Sequence, residues 1–483
     1  MQLATIFRVL GVLLMVFSLS MTPPIAIAQW YGDGAWMAFF IAFLVTFTTG
    51  FLCWFHCRKA DTDLKARDGF FIVVLFWSVL SLFGALPLMI AQQPHLSFTN
   101  AVFESVSGLT TTGATVLSGI DKLPHAILYY RQQLQFLGGM GIIVLAVAIL
   151  PMLGIGGMQL YRAEIPGPIK DNKLTPRLTH TAKALWYIYV GLTILCAFAY
   201  WAGGMHLFDA IGESFGTIST GGFSMHDSSF KYYNSPIIYG IASIFMILGS
   251  TNFSLHFIVL QRRALQNYWK DQEFKVYILL MVAISMICFG VLYFYHSYKD
   301  PTDALIQSVF TSISMVTNTG FTADTFQKWP SLLPILLMMA GMIGGCAAST
   351  SGGIKIMRII LLLKQGSREI KRLIHPNAVI TMKLGNRVLP DELLQAVWSY
   401  IAVFIMLFVL FTLILLACGL DLESAQGAVI ACLANLGVTI GNHLQSFSEL
   451  NLPGKWSLIF AMIAGRLEIF SLLVLFSPAF WRR

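Results

Sequence analysis

The sequence predicts an all-α polytopic membrane protein that contains four pseudo-repeats of helix, re-entrant loop and helix, preceded by an N-terminal two-helix hairpin. Apolar residues make up 57% of its 483 residues and charged residues only 11%, whereas ordinary globular proteins have about 25% charged residues. Apolar stretches of about 20 residues recur, and each is long enough to cross about 30 Å of hydrocarbon. A shorter segment that ends in glycine recurs four times between them. This composition excludes a soluble enzyme, a nucleic-acid-binding protein and a disordered tail.

Ten apolar stretches are predicted to cross the membrane, and the first two form the hairpin. Of the 31 Lys and Arg residues, 23 lie in loops on one side of this topology and only six face the other side. The positive-inside rule therefore predicts that the heavily basic side and both chain termini are cytoplasmic. The predicted spans are residues 5–28, 35–57, 69–91, 128–152, 182–202, 236–260, 275–296, 332–363, 393–418 and 455–480.

Four apolar segments of only 12 to 15 residues lie between the third and fourth, fifth and sixth, seventh and eighth, and ninth and tenth spans. They are too short to cross the membrane. Each closes on Thr, Asn and Gly, which is typical of a re-entrant half-helix followed by an extended return strand.

These short segments resemble one another, which indicates internal repetition. Residues 101–113 and 308–320 align without a gap and share seven identical residues, and residues 209–221 and 425–437 follow the same plan. Their terminal glycines are 108, 99 and 117 residues apart. The predicted domains are the hairpin at 1–66 and pore repeats at 67–165, 166–270, 271–390 (with a broken inner helix) and 391–483.

Four such repeats can close around a single central pore, with one short strand from each at its centre. A glycine accepts the positive φ that turns backbone carbonyls toward the axis, and carbonyl oxygens can replace the hydration shell of a monovalent cation. The half-helices direct their partly negative C-terminal ends to the same cavity, which favours cations. One Thr-Gly pair alone is more typical of a turn, so the hypothesis depends on all four copies. The predicted filter residues are Thr111, Thr112, Gly113, Ser219, Thr220, Gly221, Asn318, Thr319, Gly320, Asn435, Leu436 and Gly437.

Side chains around these loops have predicted roles as well. The threonine hydroxyls of the filter can add ligands at its inner end. Glu104 and Glu213 lie in half-helices; we interpret them as hydrogen-bond partners of the backbone behind the filter, with cation binding as the alternative.

A predicted gate lies in the eighth span, where residues 344–353 interrupt an apolar helix. This segment is not a phosphate-binding loop, because Lys355 is not followed by Ser or Thr and the flanks are membrane helix. Irregular backbone at membrane depth is tolerated where it lines a watery cavity, so the segment is predicted to lie under the filter. Arg466 lies deep inside the tenth predicted span, where a base is costly unless it faces a cavity or a partner, and it is assigned to the same constriction, with a structural interhelical bond as the alternative. The predicted gate residues are Gly344, Gly345, Ser349, Thr350, Ser351, Gly352, Gly353 and Arg466.

The four filter loops, the segment Gly344-Gly-Cys-Ala-Ala-Ser-Thr-Ser-Gly-Gly-Ile-Lys355 and Gly465-Arg-Leu-Glu-Ile-Phe470 resemble those of the TrkH family of potassium-uptake subunits, within the Trk/Ktr superfamily. The resemblance covers essentially the whole chain. It implies K⁺ as the transported ion without an organic cofactor, a location in the bacterial inner membrane, a homodimer, and a cytosolic nucleotide-binding regulatory subunit, TrkA. The leading hairpin favours the TrkH group over the sister KtrB group. Leu436 departs from the threonine found in the other three loops, which weakens the expectation of fourfold coordination.

Alternatives remain at the level of mechanism and partner. A K⁺ symporter coupled to H⁺ or Na⁺ would need acidic residues within the spans, and Glu468 is nearly alone there, so a channel-like pathway is preferred. No motif of a membrane enzyme is present. The basic segments 159–183 and 364–392 fit either the regulatory subunit or anionic membrane lipid.

Overall fold

A computed structural model describes residues 3–59, 66–144, 174–378, 380–384, 387–440 and 446–482. Its first element is the predicted hairpin. Helix α1 (Leu3–Ser18) continues through a 3₁₀ turn into α2 (Thr22–Tyr31), and α3 (Trp36–Cys57) packs along α1. The two helices touch at glycines, since a Cβ on Gly11 would lie 2.6 Å from the carbonyl oxygen of Gly50. Small residues let membrane helices approach this closely, where dispersion contacts are strongest.

Four units of the same plan follow, each with an outer helix, a short half-helix, a return strand and an inner helix. The first contains α4 (Ala66–Gly84), α5 (Leu86–Ile90), the half-helix α6 (Phe98–Leu109) and α7 (His125–Val144). The second contains α8 (Leu174–Ala202), the half-helix α9 (Leu207–Ile218), α10 (Pro236–Gly249) and α11 (Phe253–Arg262).

The short helix α12 (Gln266–Lys270) leads into the third unit, which contains α13 (Gln272–Phe294), the half-helix α14 (Pro301–Val316), α15 (Leu332–Ile343) and α16 (Ile356–Ile374). A two-stranded antiparallel ribbon of β1 (Lys383–Leu384) and β2 (Arg387–Val388) follows. The fourth unit contains α17 (Asp391–Ala417), the half-helix α18 (Leu422–Leu433), α19 (Leu452–Arg466), α20 (Phe470–Leu473) and α21 (Pro478–Trp481).

Eight of the ten predicted spans, all except the fourth and the eighth, correspond to helices or bent helix pairs long and apolar enough to cross a membrane. By length and composition, six of the described helices can cross a membrane, and two bent helix pairs raise the number to eight. The sixth and tenth spans, predicted as continuous, are these bent pairs: α10 and α11 meet at 94°, and α19 and the segment from Phe470 to Phe476 meet at 111°. The eighth span is interrupted between α15 and α16, as predicted, and residues 145–152 of the fourth lie outside the described part of the chain.

Four of the described helices start at a residue whose side chain caps them. Asn252, Asp271, Asp421 and Asn451 each precede a helix and accept a hydrogen bond from a backbone N–H of its first turn. Such a cap satisfies one of the donors that a helix start leaves unpaired. The cap at Asn252 restarts the helix after the break in the sixth span, so the bend there is encoded locally.

Two buried apolar clusters hold the units together. One joins the hairpin to the first and fourth units, and the other joins the second and third units with part of the fourth. All four half-helices are largely buried, and the last residues of these helices belong to the two clusters: Leu109 and Leu433 to the first, Ile218 and Val316 to the second. The loops that follow the half-helices approach one another closely.

Candidate functional site

The same hydrogen bond closes every half-helix and fixes which residues are equivalent. A backbone N–H donates to the carbonyl five residues earlier, as in a Schellman-type helix end. The four bonds are Thr112 N to Ser107 O (2.8 Å), Gly221 N to Gly216 O (2.9 Å), Thr319 N to Ser314 O (2.9 Å) and Leu436 N to Ala431 O (2.8 Å). Gly221 is therefore equivalent to Thr112, Thr319 and Leu436.

It follows that Gly222, and not Gly221, is the structural equivalent of the predicted filter glycines Gly113, Gly320 and Gly437. Gly222 has φ +80°, close to the values of +82°, +77° and +80° at Gly113, Gly320 and Gly437. The ungapped sequence alignment matched the pair Thr220-Gly221 to the Thr-Gly pairs of other loops, and the second glycine was missed. Ser219 accordingly caps α9, at the position of Thr110 and Thr317.

The four loops meet in a closed ring. A Cβ added to each filter glycine would collide with the carbonyl oxygen of the residue before the filter glycine in the next loop. We call these four oxygens, of Thr112, Gly221, Thr319 and Leu436, the ring carbonyls. The added Cβ would lie 2.2 Å from Gly221 O at Gly113, 2.0 Å from Thr319 O at Gly222, 2.2 Å from Leu436 O at Gly320 and 2.3 Å from Thr112 O at Gly437. Only glycine fits at these positions, because the loops touch in cyclic order.

Threonine hydroxyls bind one another at the ends of the first and third half-helices. The hydroxyls of Thr112 and Thr319 lie 2.7 Å and 2.8 Å from those of the capping residues Thr110 and Thr317. These two hydroxyls therefore stabilise the helix ends rather than standing free. Thr111 is buried, and its hydroxyl has no hydrogen-bond partner within the described ranges, so it is available as a ligand.

In the third and fourth loops an asparagine has the left-handed backbone conformation that Thr111 (φ +49°) and Thr220 (φ +49°) have in the first two loops. Asparagine tolerates this conformation better than most residues. Asn318 has φ +57° and donates from Nδ2 to Gly341 O at 2.8 Å. Asn435 has φ +54° and donates to the Thr112 hydroxyl at 2.8 Å, which links the fourth loop to the first.

Glu104 and Glu213 occupy equivalent positions, nine residues before Gly113 and Gly222, and bind the return strands. Glu104 accepts hydrogen bonds from the Thr115 hydroxyl (2.9 Å) and Val116 N (3.0 Å). Glu213 accepts them from the Ser224 hydroxyl (2.6 Å) and Met225 N (2.9 Å). The interpretation as partners of the backbone behind the filter agrees with this geometry.

Arg131 of α7 neutralises Glu104. Its Nε lies 2.8 Å from Glu104 Oε1, and both side chains are almost fully buried. Its guanidinium carbon lies 4.3 Å from the centre of the Phe223 ring, in the next loop. Removing one partner of such a pair strands a buried charge, at a cost of about 3–5 kcal/mol. The pair therefore ties the first return strand to the second.

The interrupting segment of the eighth span, residues 344–355, lies against the ring on the side where the half-helices end. The Thr350 hydroxyl is 3.0 Å from Ile218 O and 3.2 Å from the hydroxyl of Thr220. The Ser351 hydroxyl donates to Asn318 Oδ1 at 3.2 Å, and Gly353 N donates to Ala434 O at 2.9 Å. The segment thus contacts the second, third and fourth loops.

The two ends of segment 344–355 approach each other closely at glycines. A Cβ on Gly344 would lie 2.4 Å from Gly352 O, and Gly344 and Gly353 have φ +77° and +75°. Inside the segment, Gly345 N donates to the Ser351 hydroxyl at 3.0 Å, and the Ser349 hydroxyl donates to Cys346 O at 2.6 Å. These close approaches explain why the segment needs so many glycines.

Arg466 lies beside this segment, at the last residue of α19 before the bend. Its Nη2 donates to Thr350 O at 2.9 Å, and the side chain is buried. The ion pairs found among the described residues do not join it to Glu468, whose Oε2 accepts a hydrogen bond from Arg358 Nη2 at 2.7 Å. Arg466 is therefore joined to the predicted gate segment, and Glu468 to the helix that follows the segment.

Two residues that hold this region were not anticipated from the sequence. Glu273, in the first turn of α13, is buried and accepts a hydrogen bond from Ala347 N at 2.7 Å. Gln135 of α7 donates to Gly221 O at 2.6 Å. An acid at the start of an apolar span was a visible sign of the first, whereas nothing in the pattern of α7 distinguishes the second.

The mouth of the second loop is acidic. His226 lies between Asp121 (Nδ1 to Oδ1, 2.6 Å) and Asp209 (Nε2 to Oδ2, 3.5 Å). Burial opposes protonation of His226, but its hydrogen bonds to Asp209 and Asp121 outweigh this and raise the pKa of the imidazole above its usual value. Neighbouring carboxylates favour the charged form of a histidine in this way.

Comparison with known proteins adds a family to this geometry. Residues 35–483 match the TrkH family of cation transport proteins. The Trk system potassium uptake protein TrkH of Escherichia coli strain K12 is 52% identical over 482 residues, with 100% of both chains covered. The chain belongs to the TrkH family. The Trk system potassium uptake protein TrkG of the same organism is 40% identical over 472 residues, covering 98% of this chain and 97% of TrkG.

The fold agrees with this assignment. The crystal structure of the potassium transporter TrkH from Vibrio parahaemolyticus superposes with a TM-score of 0.93 at 49% sequence identity, covering 100% of both chains. This TrkH-family chain is therefore a multi-span membrane protein of a potassium-transport family and not an enzyme. The resemblance stated from the sequence is confirmed.

Proposed function

We propose that the chain takes up potassium ions across the bacterial inner membrane through a channel-like pore whose selectivity filter is the ring of four loops. The observation that supports this most is the cyclic contact of the four filter glycines with the ring carbonyls. Four half-helices end at the ring, and their partly negative ends stabilise a cation there. Backbone carbonyls in a ring can replace the water around a dehydrated K⁺ ion.

Segment 344–355 is the proposed gate of this pore. It lies against the inner end of the ring, and Arg466 holds it through Thr350 O. A positive charge in a low-dielectric pathway opposes a cation strongly. Retraction of the segment would remove both the backbone obstruction and the contact with Arg466, which opens the pathway.

The first test asks whether transport needs a driving ion. Proteoliposomes that contain only this chain are expected to take up ⁸⁶Rb⁺ down its own gradient when no H⁺ or Na⁺ gradient is present. The acid of the tenth span, Glu468, is paired with Arg358 at 2.7 Å, so it is not a free proton carrier. Uptake that required an imposed H⁺ or Na⁺ gradient would instead support the KtrB-like symporter.

The wider assembly follows from the family and the charge distribution. We propose a homodimer with cytoplasmic termini, domain boundaries at 66, 165, 270 and 390, and a cytosolic nucleotide-binding subunit similar to TrkA. The basic surface after the gate fits such a partner, because Lys371 and Arg372 at the end of α16 are exposed. Arg368 is nearly buried, and its Nη1 contacts Asp391 Oδ1 at 2.8 Å. The basic residues at 159–173 lie outside the described residues.

Charge reversal tests this docking surface. The double variant Lys371→Glu and Arg372→Glu is expected to weaken co-purification with the regulatory subunit about tenfold at physiological salt, because two attractive charge pairs become repulsive. Arg368 is left intact, since its replacement would break the contact with Asp391. The control is Lys299→Glu, an exposed lysine on the opposite side of the proposed topology. Unchanged binding by the double variant would leave anionic lipid as the partner of this surface.

A further inference from the structure

The four filter loops differ at one position of the ring. The residue before the filter glycine carries a side chain in three loops, as Thr112, Thr319 and Leu436, but is Gly221 in the second loop. The equivalent hydrogen bonds at the four helix ends fix this comparison. The second loop therefore lacks a side chain where its three counterparts have one.

A side chain from another unit occupies this place. A Cβ added to Gly221 would lie 2.4 Å from Cδ of Gln135 and 2.6 Å from its Oε1. Gln135 belongs to α7, the inner helix of the first unit, and is fully buried. No side chain larger than glycine fits at position 221 while Gln135 is in this position.

Both ends of the Gln135 amide bind the second loop. Nε2 donates to Gly221 O at 2.6 Å, and Oε1 accepts from Phe223 N at 3.2 Å. These two bonds lie on either side of Gly222, the filter glycine. Within the described ranges, Gly221 O is the only ring carbonyl that accepts a hydrogen bond.

We propose that Gln135 is a positioning residue that holds the second filter loop and thereby determines discrimination between K⁺ and Na⁺. A carbonyl oxygen has two lone pairs, so Gly221 O can accept the Gln135 N–H and still face an ion. Sharing reduces the field that this oxygen offers and fixes its direction, and filter selectivity depends on the number, strength and placement of its carbonyls. This inference rests on the proposed filter.

Two nearly isosteric variants test the hydrogen bonds. Gln135→Met keeps the volume and removes both bonds, and Gln135→Glu keeps the acceptor while placing a carboxylate against Gly221 O. Both variants lose the hydrogen bond to Gly221 O, and each is expected to lower the ratio of ⁸⁶Rb⁺ to ²²Na⁺ uptake in proteoliposomes at least about threefold, which corresponds to one ordinary hydrogen bond. The control is Gln133→Met on the same helix, since the Gln133 side chain makes no hydrogen bond to the filter loops within the described ranges. A parent-like ratio in both variants overturns the proposal.

A second set of variants tests whether the Gln135 side chain and a side chain at position 221 compete for the same space. It also tests the proposal if the first variants do not fold. Gly221→Thr alone is expected to disrupt the loop because the new side chain meets Gln135, and Gln135→Ala alone leaves a void and frees the Gly221 carbonyl. The double variant Gly221→Thr with Gln135→Ala restores the threonine present in the first and third loops. It is expected to recover a higher ratio than either single variant, whereas a double variant that does not exceed both single variants overturns the proposal. Failure of the proposed filter itself would already be seen as equal Rb⁺ and Na⁺ uptake by the parent protein.

Discussion

Replacing Gly113 or Gly320 by serine is expected to lower the ratio of ⁸⁶Rb⁺ to ²²Na⁺ uptake by about tenfold while the protein still folds. Both glycines have positive φ, +82° and +77°, and a Cβ on either would lie 2.2 Å from a ring carbonyl of the next loop. A side chain held in such a backbone conformation costs about 1–3 kcal/mol. A change of about 1.4 kcal/mol in differential ion binding is tenfold, so a displaced ring carbonyl is enough for this effect. The measurement is parallel uptake of both ions into proteoliposomes.

A glycine outside the ring serves as the control that distinguishes the effect of backbone strain from the effect of disturbing the ring. Gly119 has φ +70° but no neighbouring atom within 4 Å of its added Cβ, so Gly119→Ser carries the same conformational cost outside the ring. Its selectivity is expected to equal that of the parent. Gly222→Ser should behave like the other filter variants, because its Cβ would lie 2.0 Å from Thr319 O. Parent-like ratios at Gly113 and Gly320 would mean that these loops are not the filter.

Removing the positive charge of Arg466 is expected to raise K⁺ flux about tenfold in the absence of a regulatory subunit. Arg466 Nη2 holds Thr350 O at 2.9 Å, and the Thr350 hydroxyl lies 3.2 Å from Thr220 in the filter. In Arg466→Ala the segment loses this hydrogen bond and the pathway loses a charge that repels cations. Lowering the barrier by about 1.4 kcal/mol is sufficient for a tenfold faster rate. Ion preference should stay nearly unchanged, since the ring itself is intact.

The gate prediction is checked by ⁸⁶Rb⁺ flux at equal protein content in the liposome membrane. A deletion of residues 345–352 should have the same direction of effect, because it removes the backbone that lies against the ring. The control is Arg262→Ala, an exposed arginine at the end of α11. If both gate variants conduct no faster than the parent, Arg466 has the structural role of an interhelical bond.

Much of the fold could be predicted because its causes are local. Apolar length, loop charge and the recurring Thr-Gly segments gave the hairpin, the short half-helices and the break at 344–353. The bends in the sixth and tenth spans were missed. At the bend in the tenth span, Glu468 and Ile469 adopt φ +53° and +55°. Neither residue is a glycine or proline, so the sequence did not indicate a helix break there. Such strain at a non-glycine residue persists only when surrounding packing imposes it.

The second loop is another place where the structure decided what the sequence did not, namely which of its two glycines is equivalent to the glycines of the other loops. Two consecutive glycines, Gly221 and Gly222, close the second loop, and the sequence alignment placed Gly221 in the predicted filter. The end of α9 selected Gly222, through the bond from Gly221 N to Gly216 O at 2.9 Å. Alignment by residue identity preferred Gly221 because it follows a threonine, but backbone hydrogen bonding does not depend on that identity.

The sequence by itself determined that this is a membrane protein with four repeats, and which short segments meet at its centre, because hydrophobic length and repetition are properties of neighbouring residues. Only the tertiary structure decided which partners complete the site. Gln135 reaches Gly221 across 86 positions, and Arg466 reaches Thr350 across 116. These contacts depend on how separate helices pack against one another, and a buried polar group bonds whichever partner that packing brings within reach.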